Sequence, residues 1–443
     1  MNVLKQIKDL FSDKDLPSEK IKDGEDSKAR FANKNEFDGI SCEVIAHSDS
    51  THLVSIASRI CVGMNAIEDY DKRLAHISKV IGRGHESVLE HTNIVLLLHI
   101  SKNAVQQISL NAFLASCKYL DVKVSETDGI MHILIGGSIR GYKHIIRYTK
   151  NAMRNPYILA IRDAMYSSAE YVFFEDMIRD GIMDKSKFTI LDNPTTTAMA
   201  FNPYANEKVE SAVRLTPIER RVIEKPRVSL LTSEHAKFTF ILNKVSSYGF
   251  TVEDVLDIAR ISVIMHDISR PISMQIIRHR NAITQESQRY VDYSDKAFID
   301  PMQFVPDEEK SSDKYKLSLF GKKVKLTSEE LGNGLCKVYN QLLDQGMKKQ
   351  DARSYLPSNV CTKLIMTFSY KNLFHFLVMR LDKAAQPEIR QVANELYDAY
   401  KEYNNGELKY DISDVEVPYY ILEDKLRASK DSEIDEVISE EEV

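Results

Sequence analysis

The chain has 443 residues, 43% of them hydrophobic and 28% charged, with a formal net charge of −6 at pH 7. That length and balance describe a globular protein of two or three domains, and no apolar run reaches the roughly eighteen residues that a membrane-spanning helix needs. The negative balance argues against general binding to nucleic-acid polymers, and Cys42, Cys61, Cys117, Cys336 and Cys361 are scattered without a CxxC pair, which argues against a metal site or a disulfide framework.

Residues 1–38 are rich in Lys, Asp, Glu and Ser and read as a disordered or loosely ordered segment. They lack the apolar core of a secretory signal, so a cytoplasmic location with no membrane attachment is expected. Further along comes GHESVLEH at residues 84–91, then an apolar strand at 94–98, and then LIGGSIRGYKHIIR at 134–147, a strand running into a helix with Gly136-Gly137 as a strand-end turn. Two Asn-Pro pairs, Asn193-Pro194 and Asn202-Pro203, flank a threonine cluster and read as a linker, which sets a boundary near residue 200. Ile272, Ile276 and Ile277 form the buried face of a helix that runs into RHRNAITQESQRY at 278–290. Arg278 and Arg280 there each offer a bidentate fork to phosphate oxygens, and His279 can donate or accept a proton near neutral pH. Residues 329–350 carry Leu331, Leu335, Val338, Leu342, Leu343 and Met347 at helical spacing, a core-facing helix that delivers Arg353. A β-like run follows at 364–368, and Cys361 before it reads as a small buried hydrophobe. Residues 413–443 form an acidic tail.

The run at 278–290 resembles the RHRxxSxNExSxRY signature of the flavin-dependent thymidylate synthases, the ThyX family. It has one residue fewer between Arg280 and Thr284, and Gln285 stands at a Glu or Gln position. RSYLP from Arg353, the strand at 364–368, NLFHFLVMRLD at 372–382 and QPEIR at 386–390 resemble the family's later segments in order. The resemblance implies nucleotide ligands at Gln275, Gln285, Ser287, Arg289, Arg353 and Arg380, with Ser287 and Arg289 gripping the substrate phosphate. It implies flavin contacts at Arg278, His279, Arg280 and His375, and places Arg380 and Ser287 in the catalytic set. Two departures stand out: Ala384 occupies the place of a usual histidine and Ser369 that of a flavin-contacting asparagine.

The rest of the chain is similar to a second, eroded copy of the same family. GHESVLEH resembles a family segment whose early His and Ser/Thr touch the flavin, which implies cofactor contacts from His85 and Ser87. Leu110, Asn111 and Ala112 stand where RHR would be, so this copy lacks the phosphate forks. The second copy has the complementary loss, with Val252 and Asp254 in the places of His85 and Ser87. The expected fold is α+β: two ThyX-like lobes, each a mixed β-sheet flanked by helices, forming an intrachain pseudo-dimer. The domains expected are residues 1–38, a degenerate lobe at 39–200, a lobe carrying RHR at 201–412 and the tail at 413–443. Family sites lie at subunit interfaces of a homotetramer, so two such chains would pair as a homodimer into a pseudo-tetramer.

The activity implied is that of a methyltransferase converting dUMP to dTMP, with FAD as cofactor and NADPH and methylenetetrahydrofolate as co-substrates. Two alternatives remain open: a relative that adds another one-carbon group to a pyrimidine deoxynucleotide, and a flavin- or nucleotide-binding remnant without turnover.

Overall fold

The computed structural model describes residues 39–189, 227–231, 238–279, 281–294, 296–300, 304 and 328–403. The expected terminal segments, the linker near residue 200 and Arg280 lie outside the described residues. The chain divides into two compact units between Tyr370 and Lys371.

The first unit contains two four-stranded sheets. Strands β1 (Ile40–His47), β2 (Ile94–Ser101), β3 (Leu120–Thr127) and β4 (Ile130–Gly137) lie in the order β1-β2-β4-β3. Strands β5 (Val228–Leu231), β6 (Arg260–Ser269), β7 (Ala282–Gln285) and β8 (Cys361–Ser369) lie in the order β5-β6-β8-β7. The two orders are the same when each sheet is counted from its own first strand. Both sheets are antiparallel throughout, in contrast to the mixed sheets expected. The physical reason is clearest at β3 and β4, joined by Asp128 and Gly129 at φ +53° and +73°; a two-residue turn of that hand can only reverse a strand.

Helices α1 (Ser50–Ile60), α2 (Tyr70–Gly82), α3 (Gln107–Ser116), α4 (Ile139–Tyr148), α5 (Pro156–Met165) and α6 (Glu175–Arg179) accompany the first sheet, with a short 3-10 helix at Glu86–His91. Side-chain caps start α1 and α2: Asp49 accepts from the His52 amide at 3.0 Å and Asp69 from the Lys72 amide at 2.8 Å. The second sheet is accompanied by α7 (Phe238–Val245), α8 (Val252–Ile258), α9 (Arg270–Ile277), α10 (Ser328–Asp344) and α11 (Lys349–Ala352). No helix among the described residues is long and apolar enough to cross a membrane.

Each sheet is covered partly by elements of the other half. Ile264 and Ile365 of the second sheet belong to the same buried cluster as Leu53, Leu89, Leu96 and Ile133 of the first half. The Glu86–His91 helix and α1 pack on β7 and β8, while α8 packs on β3 and β4. His91 is 1% exposed and uses both ring nitrogens across this junction: Nε2 meets Thr284 Oγ1 at 2.9 Å, and Nδ1 meets Thr367 Oγ1 at 3.0 Å. Thr367 is bonded in turn to Ser262 at 2.7 Å. On the opposite side Lys123 pairs with Asp257 at 2.5 Å and Arg260 with Asp121 at 2.8 Å. Gly136 is a strand residue in this packing, not part of the expected turn: a Cβ there would lie 2.7 Å from Ile258 Cγ2 and 2.9 Å from the Ile258 carbonyl oxygen.

The second unit contains the body of α12 (Tyr370–Leu381) and α13 (Pro387–Tyr403). Phe374 and Tyr400 meet edge to face at 5.5 Å, and Arg390 donates to the Lys383 carbonyl at 2.8 Å.

Two outcomes are expected. Gly→Ala changes in compatible backbone stabilise by about 0.4–1 kcal/mol through the unfolded chain, but overpacking costs about 1–3 kcal/mol. Gly136→Ala should therefore lower the urea midpoint, because Ile258 backbone atoms cannot yield as a side-chain tip would. Burial pushes the His91 pKa from 6.5 down to about 3, so between those values the unfolded chain binds a proton that the folded chain refuses. Stability from this group is complete above pH 6.5 and falls as pH drops below it, by up to about tenfold in the folding constant per pH unit; urea midpoints of the His91→Gln variant should fall less steeply across that window.

Candidate functional site

Strand β7 is the centre of the predicted site: it is four residues long and, among the described residues, sits at a sheet edge and pairs only with β8. Helix α9 feeds it. Pro271 opens this helix, Ile272 and Ile276 are fully buried, and the helix ends at Ile277. Ile277 is 39% exposed, so the apolar face expected from the sequence narrows to Ile272 and Ile276. Arg278 follows at the helix C-terminus, where a cation is electrostatically favoured, and its side chain is exposed. His279 is half-buried, and its carbonyl accepts from Asn281 Nδ2 at 3.1 Å. Gln275 is partly exposed on the same helix.

After β7 the chain is tightly held. Gln285 Nε2 donates to Thr362 Oγ1 at 3.3 Å, and the Glu286 amide donates to the Lys363 carbonyl at 2.9 Å. The Glu286 carboxylate is 3% exposed and is matched by Lys296 Nζ at 2.9 Å and the Tyr293 hydroxyl at 3.3 Å, partners that a buried charge requires. The Ser287 amide donates to the Cys61 carbonyl of the first half at 3.0 Å. Ser287 Oγ accepts from the Arg289 amide at 3.3 Å, a local turn that leaves the Arg289 side chain exposed, its guanidinium 5.5 Å from the Tyr290 ring. Gly63 follows Cys61 at φ +70°, and a Cβ there would lie 3.0 Å from Val291.

Arg353 begins a single 3-10 turn after α11 and is exposed. Ala352 before it and Val291 after Tyr290 share one small core cluster with Tyr293, Tyr339 and Val360, which tethers the Arg353 turn and the Arg289 turn to a common support. Among the described residues the guanidinium groups of Arg278, Arg289 and Arg353 form no salt bridge. Three supported backbones thus carry exposed guanidinium groups that no described carboxylate neutralises, the side-chain type best shaped to hold an anion.

In the first half, the Glu86–His91 helix packs on β7 and β8. His85 and Ser87 are exposed at the start of the Glu86–His91 helix, and no side chain caps this turn. The segment of the second half that the sequence reading sets against it is an ordinary capped helix: Thr251 and Asp254 exchange side-chain and backbone hydrogen bonds at the start of α8. Leu110, which the sequence reading sets against RHR, is fully buried in α3, which runs on to Ser116.

His375 and Arg380 lie in the second unit, on α12. Burial, and then the Arg380 cation, push the His375 pKa below its ordinary value, which favours the neutral ring. Ser369 closes β8 opposite Arg260, and Ala384 is exposed in a turn where its amide donates to Asp382 Oδ1 at 2.9 Å.

Three residues near the site were missed by the sequence analysis. Glu286 was legible as the single carboxylate in a cationic run, whereas His91 had no signal that named its partners. Lys363, whose pKa is lowered by burial and then by Lys296, stands on β8 just before the apolar run expected at 364–368. Among the described residues no group of three or more His, Cys, Asp or Glu side chains could hold a metal ion.

The family described as Thymidylate synthase complementing protein matches residues 199–403. The flavin-dependent thymidylate synthase of Pyrococcus furiosus is 33% identical over 157 residues, 34% of this chain and 58% of that protein. The chain thus spans little more than half of that relative's length. The protein of the same name from Geobacter sulfurreducens is 33% identical over 175 residues, 39% of this chain and 68% of its own, and that of Clostridium tetani 27% over 223 residues, 48% and 84%. At one third identity across more than two thirds of the Geobacter protein, the chain belongs to the flavin-dependent thymidylate synthase family.

Proposed function

We propose that this chain catalyses the reductive methylation of dUMP to dTMP, with the one-carbon unit from methylenetetrahydrofolate, FAD as cofactor and NADPH as reductant. The observation that carries the reading is the exposure of Arg278, Arg289 and Arg353 on buried supports, with no salt bridge among the described residues. Ser287 and Arg289 grip the nucleotide phosphate, Arg353 adds a second cation, and Gln275 and Gln285 offer amides to the base and sugar. Arg380 stabilises negative charge developing on the pyrimidine ring, a type of contribution worth roughly 3–4 kcal/mol when a preorganised donor is removed from other enzymes.

The donor set also fits a flavin dinucleotide. Its diphosphate calls for guanidinium and imidazole donors, which Arg278, His279 and Arg280 would supply, while exposed His85, Ser87 and the neutral His375 would meet its ring and ribityl hydroxyls. When bound, the flavin supplies the hydride of the reduction. The protein's part is to hold dUMP against it and to keep charge balanced as the ring is reduced.

The chain is further read as a duplication, residues 39–200 and 201–412 being two lobes of an intrachain pseudo-dimer. The shared strand order, the reciprocal packing of α8 and the Glu86–His91 helix, and the complementary losses at Leu110 and Asp254 support this. The first lobe would supply His85 and Ser87, the second the anion ligands, and two chains would form a cytoplasmic pseudo-tetramer with two competent sites.

The test is purification of the full chain, flavin counted per chain from its visible spectrum, and mass analysis of the product made from dUMP. One FAD per chain and dTMP are expected. A hydroxymethyl product would favour the alternative that Ser369 and Ala384 motivate, and absence of flavin and turnover would leave a non-catalytic remnant. Arg289→Lys should raise the KM for dUMP by on the order of tenfold, because an ammonium cannot reproduce the bidentate fork. His85→Ala or Ser87→Ala should weaken FAD binding in a spectral titration; affinity equal to wild type would remove the division of labour.

A further inference from the structure

We infer that His91 is a positioning residue for the second half's chemistry, holding β7 in place from the first half of the chain. The inference rests on the functional reading above. Ligands assigned to that reading flank β7 on both sides, with Arg278 and His279 before it and Gln285, Ser287 and Arg289 from its end onward. A strand of four residues that has one neighbour among the described residues takes its ladder hydrogen bonds there from a single edge, so its tilt and height depend on what covers its face. His91 covers it with directional bonds.

The geometry is specific. Thr367 stands opposite Ser262 on β6 and opposite Ala282 on β7, and Thr284 lies two residues further along the same face. The imidazole bridges Thr284 and Thr367 diagonally, so one side chain fixes β7 relative to β8, and Thr367 passes the restraint to Ser262 on β6. A neutral imidazole has one donor and one acceptor, and the three hydroxyls can each play either part, so the chain Ser262–Thr367–His91–Thr284 is satisfied throughout in a single proton direction. The Cys61 carbonyl holds the Ser287 amide at 3.0 Å, giving the first half a second grip just past the end of β7. Because His91 is 1% exposed, it acts through Thr284 and does not itself meet a ligand.

The test compares Thr284→Val, His91→Leu and His91→Gln in the full-length chain supplied with FAD. Thr284→Val is close in volume but removes the β7 bond and leaves His91 Nε2 without its partner. It should raise the dUMP dissociation constant about tenfold, since displacements near 1 Å are costly at such sites, and lower the urea midpoint by no more than His91→Leu does. His91→Leu should raise it as much or more, the double variant should add nothing to His91→Leu, and His91→Gln, which keeps a donor and an acceptor, should recover most of the affinity. Amide hydrogen exchange should accelerate at residues 282–289 and stay unchanged in β2. An active wild type whose variants bind dUMP within twofold, or exchange faster everywhere equally, overturns the positioning role alone. A wild type that neither binds nor converts dUMP overturns the functional reading and this inference with it.

Discussion

A β-sheet whose inner face is lined with Ile, Leu and Met cannot leave that face in water, and this chain has two such sheets and one buried apolar cluster running between them. Ile264 and Ile365 are buried among residues that precede them by well over a hundred positions, and Gly136 comes so close to Ile258 that no side chain fits. Apolar surface buried there is worth about 25 cal/mol per Å², whereas the part-exposed Lys123–Asp257 and Arg260–Asp121 pairs steer register more than they stabilise. The central strand of the candidate site rests on that junction. β7 is supported from beneath by the first half and from beyond its end by Cys61.

Where the two halves differ in sequence at the positions compared above, the side chains present have structural uses. Leu110 fills core where an arginine would have needed solvent or an anion, and Asp254 caps a helix where its counterpart segment is an uncapped turn with His85 and Ser87 exposed. Filling a core and capping a helix are ordinary ways for a polypeptide to gain stability.

Much of this was legible in the sequence because the relevant signals are local. The strand at 364–368, the helix from 329 and the change from Ile276 to Arg278 each depend on a period or a charge pattern within a few residues. The sheets' antiparallel order was harder to read, since it depends on which strands meet and not on their composition. Ile277 was misassigned because a helical period marks a face without fixing its width. The Gly136 contact was missed because close approach to another backbone leaves no trace beyond the glycine itself. His91 shows the limit most clearly: a histidine beside a short helix says nothing of two threonines on strands that form much later in the chain.

That separation has a consequence for how the molecule is made. His91 lies 193 residues before Thr284 and 276 before Thr367, so a ribosome completes the first sheet long before either partner exists. Until then an imidazole destined for a dry junction has no mate, and the apolar surface around it has no cover. Contacts of such long range are slow to form and expose the nascent chain to association with other molecules. Synthesis through β8 is therefore the event that closes the junction, and the same event sets β7 between its two loops.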